Sequence, residues 1–374
     1  MQQLERAAAR PVAELGIDVS KYQGRIDWRR VAAAGYRFAF VRTGWAGYAG
    51  GIEEGYDPRF VENAVGAREA GLSVGAYVYS YMNTPAAAHA AAESVMRLVE
   101  PYRLSYPLVL DFEDAKTYAA LGRARSTAIA RSFLEDLEAG GYYAMLYTYT
   151  NFANNYLDMA ALSAYDLWIA DYRASVGYRG SYGIWQYTSS GRVNGITGAV
   201  DLDRSYKYYS SIIRGAHLNH LDAPQPAMQP LTNAELEVFG QKNCEFFTGP
   251  DVYRVAGSLA NGRYKAIARS TDVFGGFSWV MLLMGGSVWW TALLEDRCRL
   301  IGGKSGSRSA LWEEERHLEE LVDKYREEND FLRCRLDAAE EKLSAARLLL
   351  DLPAPACIEE EDAAREQEEN AESL

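Results

Sequence analysis

The feature that most constrains this chain is a short apolar run that leads directly into two acids. Residues 108–110 are Leu-Val-Leu, and Asp111 and Glu113 follow on either side of Phe112. A run of this length predicts a strand buried on both faces. Side chains alternate along a strand, so both carboxyl groups point to one side, roughly 6.6 Å apart. Burial and mutual repulsion raise the pKa of at least one of them, as a general acid requires near neutral pH.

Taken alone, this pattern is more typical of a salt-bridged strand end, and the surrounding chain decides between the two interpretations. Eight apolar runs alternate with helix-like segments between residues 15 and 213. The runs are residues 15–19, 38–42, 74–79, 108–113, 143–148, 167–172, 183–188 and 200–202. The later connections are short or irregular. The pattern predicts an α/β fold, an irregular (β/α) TIM-like closed parallel barrel in which some helices are missing.

Barrel enzymes place their chemistry at the carboxyl ends of the strands. Here those ends carry acids and aromatic residues, and no basic residue lies among them. We expect the catalytic residues to be Asp18, Asp111, Glu113 and Asp201. The residues expected to bind substrate are Tyr77, Tyr79, Tyr147, Trp168 and Trp185. The combination predicts an acidic, aromatic-lined groove for a neutral polyhydroxylated substrate.

Each candidate also has a structural interpretation. The aromatic residues are equally compatible with filling of the barrel interior, and Asp18 is compatible with a turn before Ser20. Asp203, two residues after Asp201, is interpreted as a structural or exposed acid that pairs with Arg204.

A series of short motifs follows one order along the chain. They are Gly16-Ile-Asp-Val-Ser-Lys-Tyr-Gln-Gly24, Ile26-Asp-Trp28, Phe40-Val-Arg-Thr-Gly44, Gly75-Ala-Tyr-Val-Tyr-Ser80, Asp111-Phe-Glu113, Leu167-Trp-Ile-Ala170, Trp185-Gln-Tyr187 and Val200-Asp-Leu-Asp203. Over residues 15–213 the chain resembles glycoside hydrolase family 25, the Chalaropsis-type lysozymes common among phage endolysins. Two positions depart from the family pattern, which often has His where Val78 stands and Asn where Asp203 stands.

The resemblance implies hydrolysis of the β-1,4 bond between N-acetylmuramic acid and N-acetylglucosamine in bacterial peptidoglycan. It implies that Glu113 donates the proton to the leaving oxygen. Asp111 stabilises the developing positive charge or orients the substrate's own acetamido group, and Asp18 and Asp201 complete the acidic ring. Retention and inversion of the anomeric centre both remain open. The alternatives are an inactive wall-binding or virion structural protein on the same barrel, or a hydrolase of another β-1,4 glycan such as chitin.

Composition excludes several other kinds of partner. The formal net charge of -12 argues against nucleic acid and against an anionic membrane surface. With 4 His and no C-x-x-C pair among the 4 Cys, neither a metal nor another cofactor is expected. The N-terminus has no apolar core, and no stretch of about 20 apolar residues follows. We therefore expect cytoplasmic synthesis without a signal peptide, no membrane insertion, release by a holin or by lysis, and action on the cell wall.

The remaining chain divides into short modules. Residues 1–14 form an N-terminal extension before the barrel of residues 15–215, and residues 216–235 form a Pro-spaced linker. Residues 236–301 predict a small all-β domain. This domain resembles a bacterial Src-homology-3-like domain, which implies wall binding; a purely structural appendage is the alternative. Cys244 and Cys298 flank it and are able to pair if oxidised. A Gly/Ser linker over residues 302–309, a helix over 310–350 and a disordered acidic tail over 351–374 follow.

The helix carries a heptad pattern. One row of positions is Leu311, Leu318, Tyr325, Leu332, Ala339 and Ala346, and the row four residues on is Glu315, Val322, Asn329, Leu336, Leu343 and Leu350. An Asn within such a seam fixes the register and favours two strands. The pattern predicts a coiled coil and a possible homodimer through residues 311–350, with a solvated single helix as the alternative.

Sedimentation of residues 302–374 tests the coiled coil. The heptad pattern predicts a dimer at micromolar concentration, since the apolar seam is buried only against a second helix. A monomer under these conditions would exclude the coiled coil.

Overall fold

The structure is a computed structural model that describes residues 12–240 and 244–302. The Gly/Ser linker, the heptad segment, the acidic tail and most of the N-terminal extension lie outside the described residues. The predictions made for them stay predictions.

Eight strands close into a barrel in chain order. They are β1 (Glu14–Val19), β2 (Phe38–Ala46), β3 (Ser73–Ser80), β4 (Leu108–Asp111), β5 (Ala144–Tyr149), β6 (Asp166–Ala170), β7 (Ile184–Gly191) and β8 (Val200–Ser205). Neighbours from β1 to β7 are parallel. The predicted barrel is confirmed. We call the end at which β1 to β7 finish the mouth.

The last strand corrects the expectation of an all-parallel barrel. β8 runs antiparallel to both β7 and β1. Only residues 192–199 separate β7 from β8, and a parallel crossover needs a dozen or more residues. Because β8 is reversed, its first residues lie at the mouth. Asp201 therefore stands opposite Asp18 in the ladder between β8 and β1.

Helices cover the outside of the barrel unevenly. They are α1 (Trp28–Ala33), α2 (Phe60–Glu69), α3 (Pro85–Val99), α4 (Ala115–Leu121), α5 (Arg123–Ala139), α6 (Thr150–Tyr156) and α7 (Tyr209–Gly215). Thr84 caps α3 by accepting from the backbone N–H of Ala87 at 3.1 Å, and Asp114 caps α4 in the same way. In the described chain no helix joins β6 to β7 or β7 to β8, as the short connections predict. The sequence did not predict α4 and α6, each seven residues long.

Aromatic rings fill the end of the barrel opposite the mouth. Phe38 stacks on Tyr106 and Phe40 stacks on Trp168, each with ring centroids 4.5 Å apart. Gly16 on β1 leaves room for this layer, since a Cβ there would lie 2.2 Å from the ring of Phe38. This packed floor excludes water beneath the mouth.

A second, antiparallel sheet follows the barrel, and we call residues 228–302 the β domain. Its strands are β9 (Met228–Val238), β10 (Cys244–Phe247), β11 (Val255–Leu259), β12 (Gly262–Ser270), β13 (Trp279–Met284), β14 (Ser287–Ala292) and β15 (Cys298–Gly302). They lie in the order β11-β10-β14-β13-β12-β9-β15. The all-β prediction is confirmed. β9 begins inside the stretch predicted as a linker, so that linker is shorter than the sequence indicates.

The β domain packs directly on the barrel. Arg97 of α3 donates from Nε to the carbonyl of Val288 at 3.1 Å and from Nη2 to Ser287 Oγ at 2.6 Å. Its guanidinium also lies 4.6 Å from the ring centroid of Trp289. At the tip of the β13–β14 hairpin, the Gly286 carbonyl accepts from the Ile52 N–H at 3.0 Å. The two parts of the chain therefore meet through polar and aromatic contacts, and buried apolar residues of both belong to one cluster.

Phe40→Ala tests the aromatic floor. Phe40 is fully buried and stacked on Trp168, so its truncation leaves a cavity that should cost about 3–5 kcal/mol of unfolding free energy. Urea unfolding followed by circular dichroism measures the loss.

Tyr48→Ala is the matched control, since Tyr48 is 61% exposed and its truncation should cost less than about 0.5 kcal/mol. Equal losses for the two variants would contradict the packed floor.

Candidate active site

All four acids predicted to be catalytic lie together at the mouth. Asp18 comes near the end of β1, Asp111 ends β4 and Glu113 follows it, while Asp201 comes from the start of β8. They line one cavity of about 280 Å³. Its lining comprises Asp18, Ser20, Tyr22, Gln23, Arg42, Tyr77, Tyr79, Asp111, Glu113, Tyr147, Trp168, Tyr172, Gln186 and Asp201.

A second cavity, of about 570 Å³, adjoins the first. It is lined by Glu113, Tyr147, Tyr149, Thr150, Asn151, Asn154, Ala170, Asp171, Tyr172, Arg173 and Gly177. Glu113, Tyr147 and Tyr172 belong to both cavities. Glu113 therefore lies where the two meet, and a chain-like ligand that occupied both would pass over its carboxyl group.

The environment of Glu113 favours its protonated form. Burial, followed by the charges of Asp201 and Asp114, raises the pKa of Glu113 to about 7. Burial also raises the pKa of Asp201, to about 6. At neutral pH a substantial fraction of the Glu113 carboxyl groups keeps a proton, which satisfies the requirement for a general acid.

Asp111 has a different set of neighbours. It is 5% exposed, and burial together with the charge of Glu113 raises its pKa, whereas Arg42 acts in the opposite direction. Within the described residues, its buried Oδ1 has no hydrogen-bond partner. Arg42 lines the cavity with Asp111 and opposes the rise in its pKa, which nevertheless stays well above the ordinary value. Arg42 therefore favours the anion on Asp111, and Asp201 favours the proton on Glu113.

Arg42 corrects the expectation that no basic residue lies at the strand ends. It lines the mouth cavity, and its Nε donates to Asp57 Oδ2 at 3.0 Å. Asp57 is buried and also accepts from the backbone N–H of Lys21 and Arg59. The alternation along β2 contained the signal, because a strand that points Phe40 into the barrel points Arg42 inward as well.

Gln186 is a second residue that the sequence analysis did not single out. Its Nε2 donates to Asp18 Oδ2 at 2.7 Å. Its Oε1 accepts from the hydroxyl groups of Tyr147 at 2.9 Å and Tyr172 at 2.8 Å. Since two hydroxyl groups occupy Oε1, the orientation of the amide is fixed. Gln186 therefore connects Asp18 to the two tyrosines that line both cavities.

Four of the five aromatic residues expected to bind substrate lie at the mouth cavity, and one does not. Tyr77, Tyr79, Tyr147 and Trp168 line the mouth cavity, whereas Trp185 lines neither cavity. The Trp185 Nε1 donates to the carbonyl of Asp171 at 2.7 Å, and Arg204 lies 5.3 Å from its ring. Alternation along β7 explains this, since Gln186 points inward and its neighbour points outward. The position of Trp185 favours a packing role.

Asp203 also differs from the expectation of an exposed acid paired with Arg204. It is fully buried and accepts from Trp168 Nε1 at 2.8 Å. Arg204 instead lies 4.3 Å from the ring centroid of Tyr187.

Paired carboxyl groups with raised pKa values in an open cleft are the arrangement that glycoside hydrolases use.

Comparison with known proteins identifies the family. The family model described as "Glycosyl hydrolases family 25" matches residues 17–196. The "Autolytic lysozyme" of Clostridium acetobutylicum is 31% identical over 194 residues, which are 50% of this chain and 54% of that protein. The "Uncharacterized protein YegX" of Escherichia coli O157:H7 is 31% identical over 198 residues, 50% of this chain and 68% of that protein. The chain belongs to glycosyl hydrolase family 25.

The residues that the family model matches, 17–196, lie within the barrel. A solved family 25 glycosyl hydrolase from Bacillus anthracis is 26% identical and has a TM-score of 0.47, covering 54% of this chain and 93% of that one. The match to the Clostridium protein spans about half of that relative's length. In residues 12–240 and 244–302, no helix is both long and apolar enough to cross a membrane.

The raised pKa of Glu113 predicts a pH dependence of stability. The folded chain holds this proton up to about pH 7, against an ordinary value of 4.5. The associated stability is fully present below the lower value and is lost as the pH rises through the higher one. Between about pH 5 and 8 the melting temperature of Glu113→Gln should therefore fall less steeply than that of the wild type.

Glu54→Gln serves as the control because Glu54 is an exposed carboxyl group away from both cavities. Its melting curve should follow the wild-type slope. A Glu113→Gln slope equal to that of the wild type would mean that Glu113 has an ordinary pKa in the folded chain.

Proposed function

We propose that the protein is an N-acetylmuramidase that hydrolyses the β-1,4 bond between N-acetylmuramic acid and N-acetylglucosamine in bacterial peptidoglycan. The observation that carries the proposal is the Glu113 carboxyl group. Its pKa is raised to about 7, it lies where the two cavities meet, and the buried acid Asp111 stands beside it. Membership of family 25 and the likeness to a bacterial lysozyme support the substrate.

The first chemical step needs a proton on Glu113. Glu113 donates it to the glycosidic oxygen as the bond to the anomeric carbon breaks, so the leaving sugar departs as a neutral alcohol. Positive charge develops on the ring, and the Asp111 carboxylate stabilises it or orients the substrate's acetamido group. Asp201 contributes by keeping the pKa of Glu113 high.

The second step returns the proton. If the anomeric centre is retained, the Glu113 carboxylate removes a proton from the attacking water, which restores the acid; if it is inverted, another carboxylate of the site activates the water and Glu113 regains its proton from solvent. In this scheme the charges of Arg42 and Asp201 give Asp111 and Glu113 different roles, the first as an anion and the second as an acid. Arg42 lies on the side of Asp111 and favours its anion, and Asp201 adds negative charge that favours the proton on Glu113.

The aromatic lining suits a sugar chain. Tyr172 is 56% exposed, and Tyr79 and Tyr147 line the cavity beside it. Tyrosine presents an apolar face to a pyranose ring and a hydroxyl group to its oxygens. The acidic groups at the mouth also make a polyanionic ligand unfavourable.

Several finer roles belong to the same proposal. Action as an endolysin released by a holin or by lysis follows from the resemblance to phage enzymes, and wall binding by the β domain follows from its likeness to Src-homology-3 domains. Inactive wall binding, a virion structural role and hydrolysis of another β-1,4 glycan such as chitin are the alternatives. Glu113 with its raised pKa favours hydrolysis over the first two of these alternatives.

Glu113→Gln tests the acid role. Loss of the proton donor should lower the rate of peptidoglycan clearing about 100-fold or more. The protein should remain folded, since the amide has nearly the same volume as the acid. Turbidity of purified peptidoglycan measures the rate, and Glu54→Gln, which changes an exposed carboxyl group, should keep wild-type activity.

Analysis of the new reducing ends separates the alternatives. Muramic acid at the reducing end supports the proposed bond, glucosamine contradicts it, and release of chitin oligosaccharides alone indicates the other glycan. Retention of most clearing activity by Glu113→Gln would remove Glu113 from the acid role.

A further inference from the structure

Three neighbouring strands, β7, β8 and β1, each contribute one polar side chain near the mouth: Gln186, Asp203 and Asp18. Gln186 on β7 pairs with Asp203 on β8, and Asp203 lies two residues after Asp201, which pairs with Asp18 on β1. Asp18 lines the mouth cavity, whereas Asp203 does not and is fully buried. Asp203 therefore has no direct access to a ligand in that cavity, and its influence passes through the groups that it touches.

The side chain of Asp203 lies beside that of a second acid, Asp18, and this contact requires a proton on one of the two carboxyl groups. The Oδ1 of Asp203 accepts from Trp168 Nε1 at 2.8 Å. Its buried Oδ2 has no hydrogen-bond partner among the described residues, and the neighbouring Asp18 carboxyl group acts on the pKa of Asp203 as a side-chain hydrogen bond would. Two carboxylates have only acceptors, so such a contact forms only when one of the two acids is protonated.

The neighbours of Asp18 decide which acid holds the proton. Gln186 Nε2 donates to Asp18 Oδ2 at 2.7 Å and cannot turn, because its Oε1 accepts from Tyr147 and Tyr172. Asp18 is thus fixed as an acceptor on that side. Burial raises the pKa of both acids well above the ordinary value, so the surroundings decide: in the described chain Asp203 is fully buried and accepts only from the indole N–H of Trp168, whereas Asp18 lines the cavity and accepts from Gln186.

We propose that Asp203 is a positioning residue that keeps its proton at neutral pH and donates it in a hydrogen bond to the carboxylate of Asp18. With Gln186 on one side and Asp203 on the other, Asp18 is held as an oriented anion at the edge of the cavity. The neutral state of Asp203 also removes one negative charge from a site where Asp18, Asp201 and Asp203 would otherwise repel one another.

The effect of Asp203 on catalysis rests on the proposed function, whereas the position of its proton does not. The titratable groups that face Asp203 are Asp18 on β1, Asp201 on β8, Tyr106 before β4 and Tyr187 on β7. All four are acids, so each of them, when ionised, favours the neutral form of Asp203.

Two substitutions separate a hydrogen-bond donor from a charge. Asp203→Asn keeps the acceptor for Trp168 and supplies an N–H donor to Asp18 at every pH, so its kcat/KM on peptidoglycan should stay within about threefold of the wild type. Asp203→Leu keeps the branched shape with bulkier methyl groups, and supplies neither a donor to Asp18 nor an acceptor for Trp168. The pKa of Asp18 should then rise, which moves the acid limb of the pH profile upward by about one pH unit or more.

Rescue by Asn but not by Leu supports the proposal. If Asp203→Asn is as impaired as Asp203→Leu, the carboxylate charge itself is required and the proposal is wrong. An unchanged pH profile for Asp203→Leu also overturns the proposed effect on Asp18.

Infrared difference spectroscopy tests the proton without any assay of activity. The wild-type spectrum minus that of Asp203→Asn at neutral pH should contain the C=O stretch of a protonated carboxylic acid. Asp166→Asn is the matched control, because Lys207 and two tyrosine hydroxyl groups hydrogen-bond to Asp166 and its pKa is lowered, so only carboxylate bands should be lost.

Carboxylate bands alone in the Asp203 difference would overturn the proposal. An inactive wild-type protein with the acid band present would contradict the proposed function and leave the assignment of the proton intact.

Discussion

The properties of the site follow from one constraint: several carboxyl groups lie close together away from water, where ionising all of them costs free energy. Asp18, Asp111 and Asp203 are almost fully buried, and Glu113 and Asp201 stand beside them with pKa values raised to about 7 and 6. The aromatic floor of the barrel excludes water from below, so the acids cannot all ionise as they would in solution. Retained protons are the physical result, and the proposed chemistry uses one of them, on Glu113.

The reversed direction of β8 is what brings this set of acids together. Seven parallel strands deliver the ends of β1 and β4 to the mouth, and the antiparallel eighth strand delivers its beginning. Asp201 therefore stands opposite Asp18 in the ladder between β8 and β1, and Asp203 stands opposite Gly16 on the same pair of strands. The short connection before β8 fixes this direction, and so a loop of a few residues determines the electrostatics of the site.

Much of the site was predictable because strands have a period of two and barrels gather their strand ends. The apolar run before Asp111 located the central strand, and the predicted acids do lie together. The direction of β8 was not predicted, since an apolar run has the same pattern in either direction. Arg42 and Gln186 were missed although the alternation along β2 and β7 points both of them inward, because the sequence analysis considered only acids and aromatic residues at the strand ends. Trp185 was misplaced because the same alternation points it outward.

The interface between the barrel and the β domain has an energetic consequence. Arg97 of α3 joins the two through hydrogen bonds and a contact with the ring of Trp289, and the tip of the β13–β14 hairpin joins the loop after β2. A module on a flexible tether samples many angles, and its reach grows with the length of the tether. Here the β domain instead packs against α3 and the loop after β2, and buried apolar residues of both parts belong to one cluster. Separating the two parts would therefore expose apolar surface to water, a cost that a tethered module does not have.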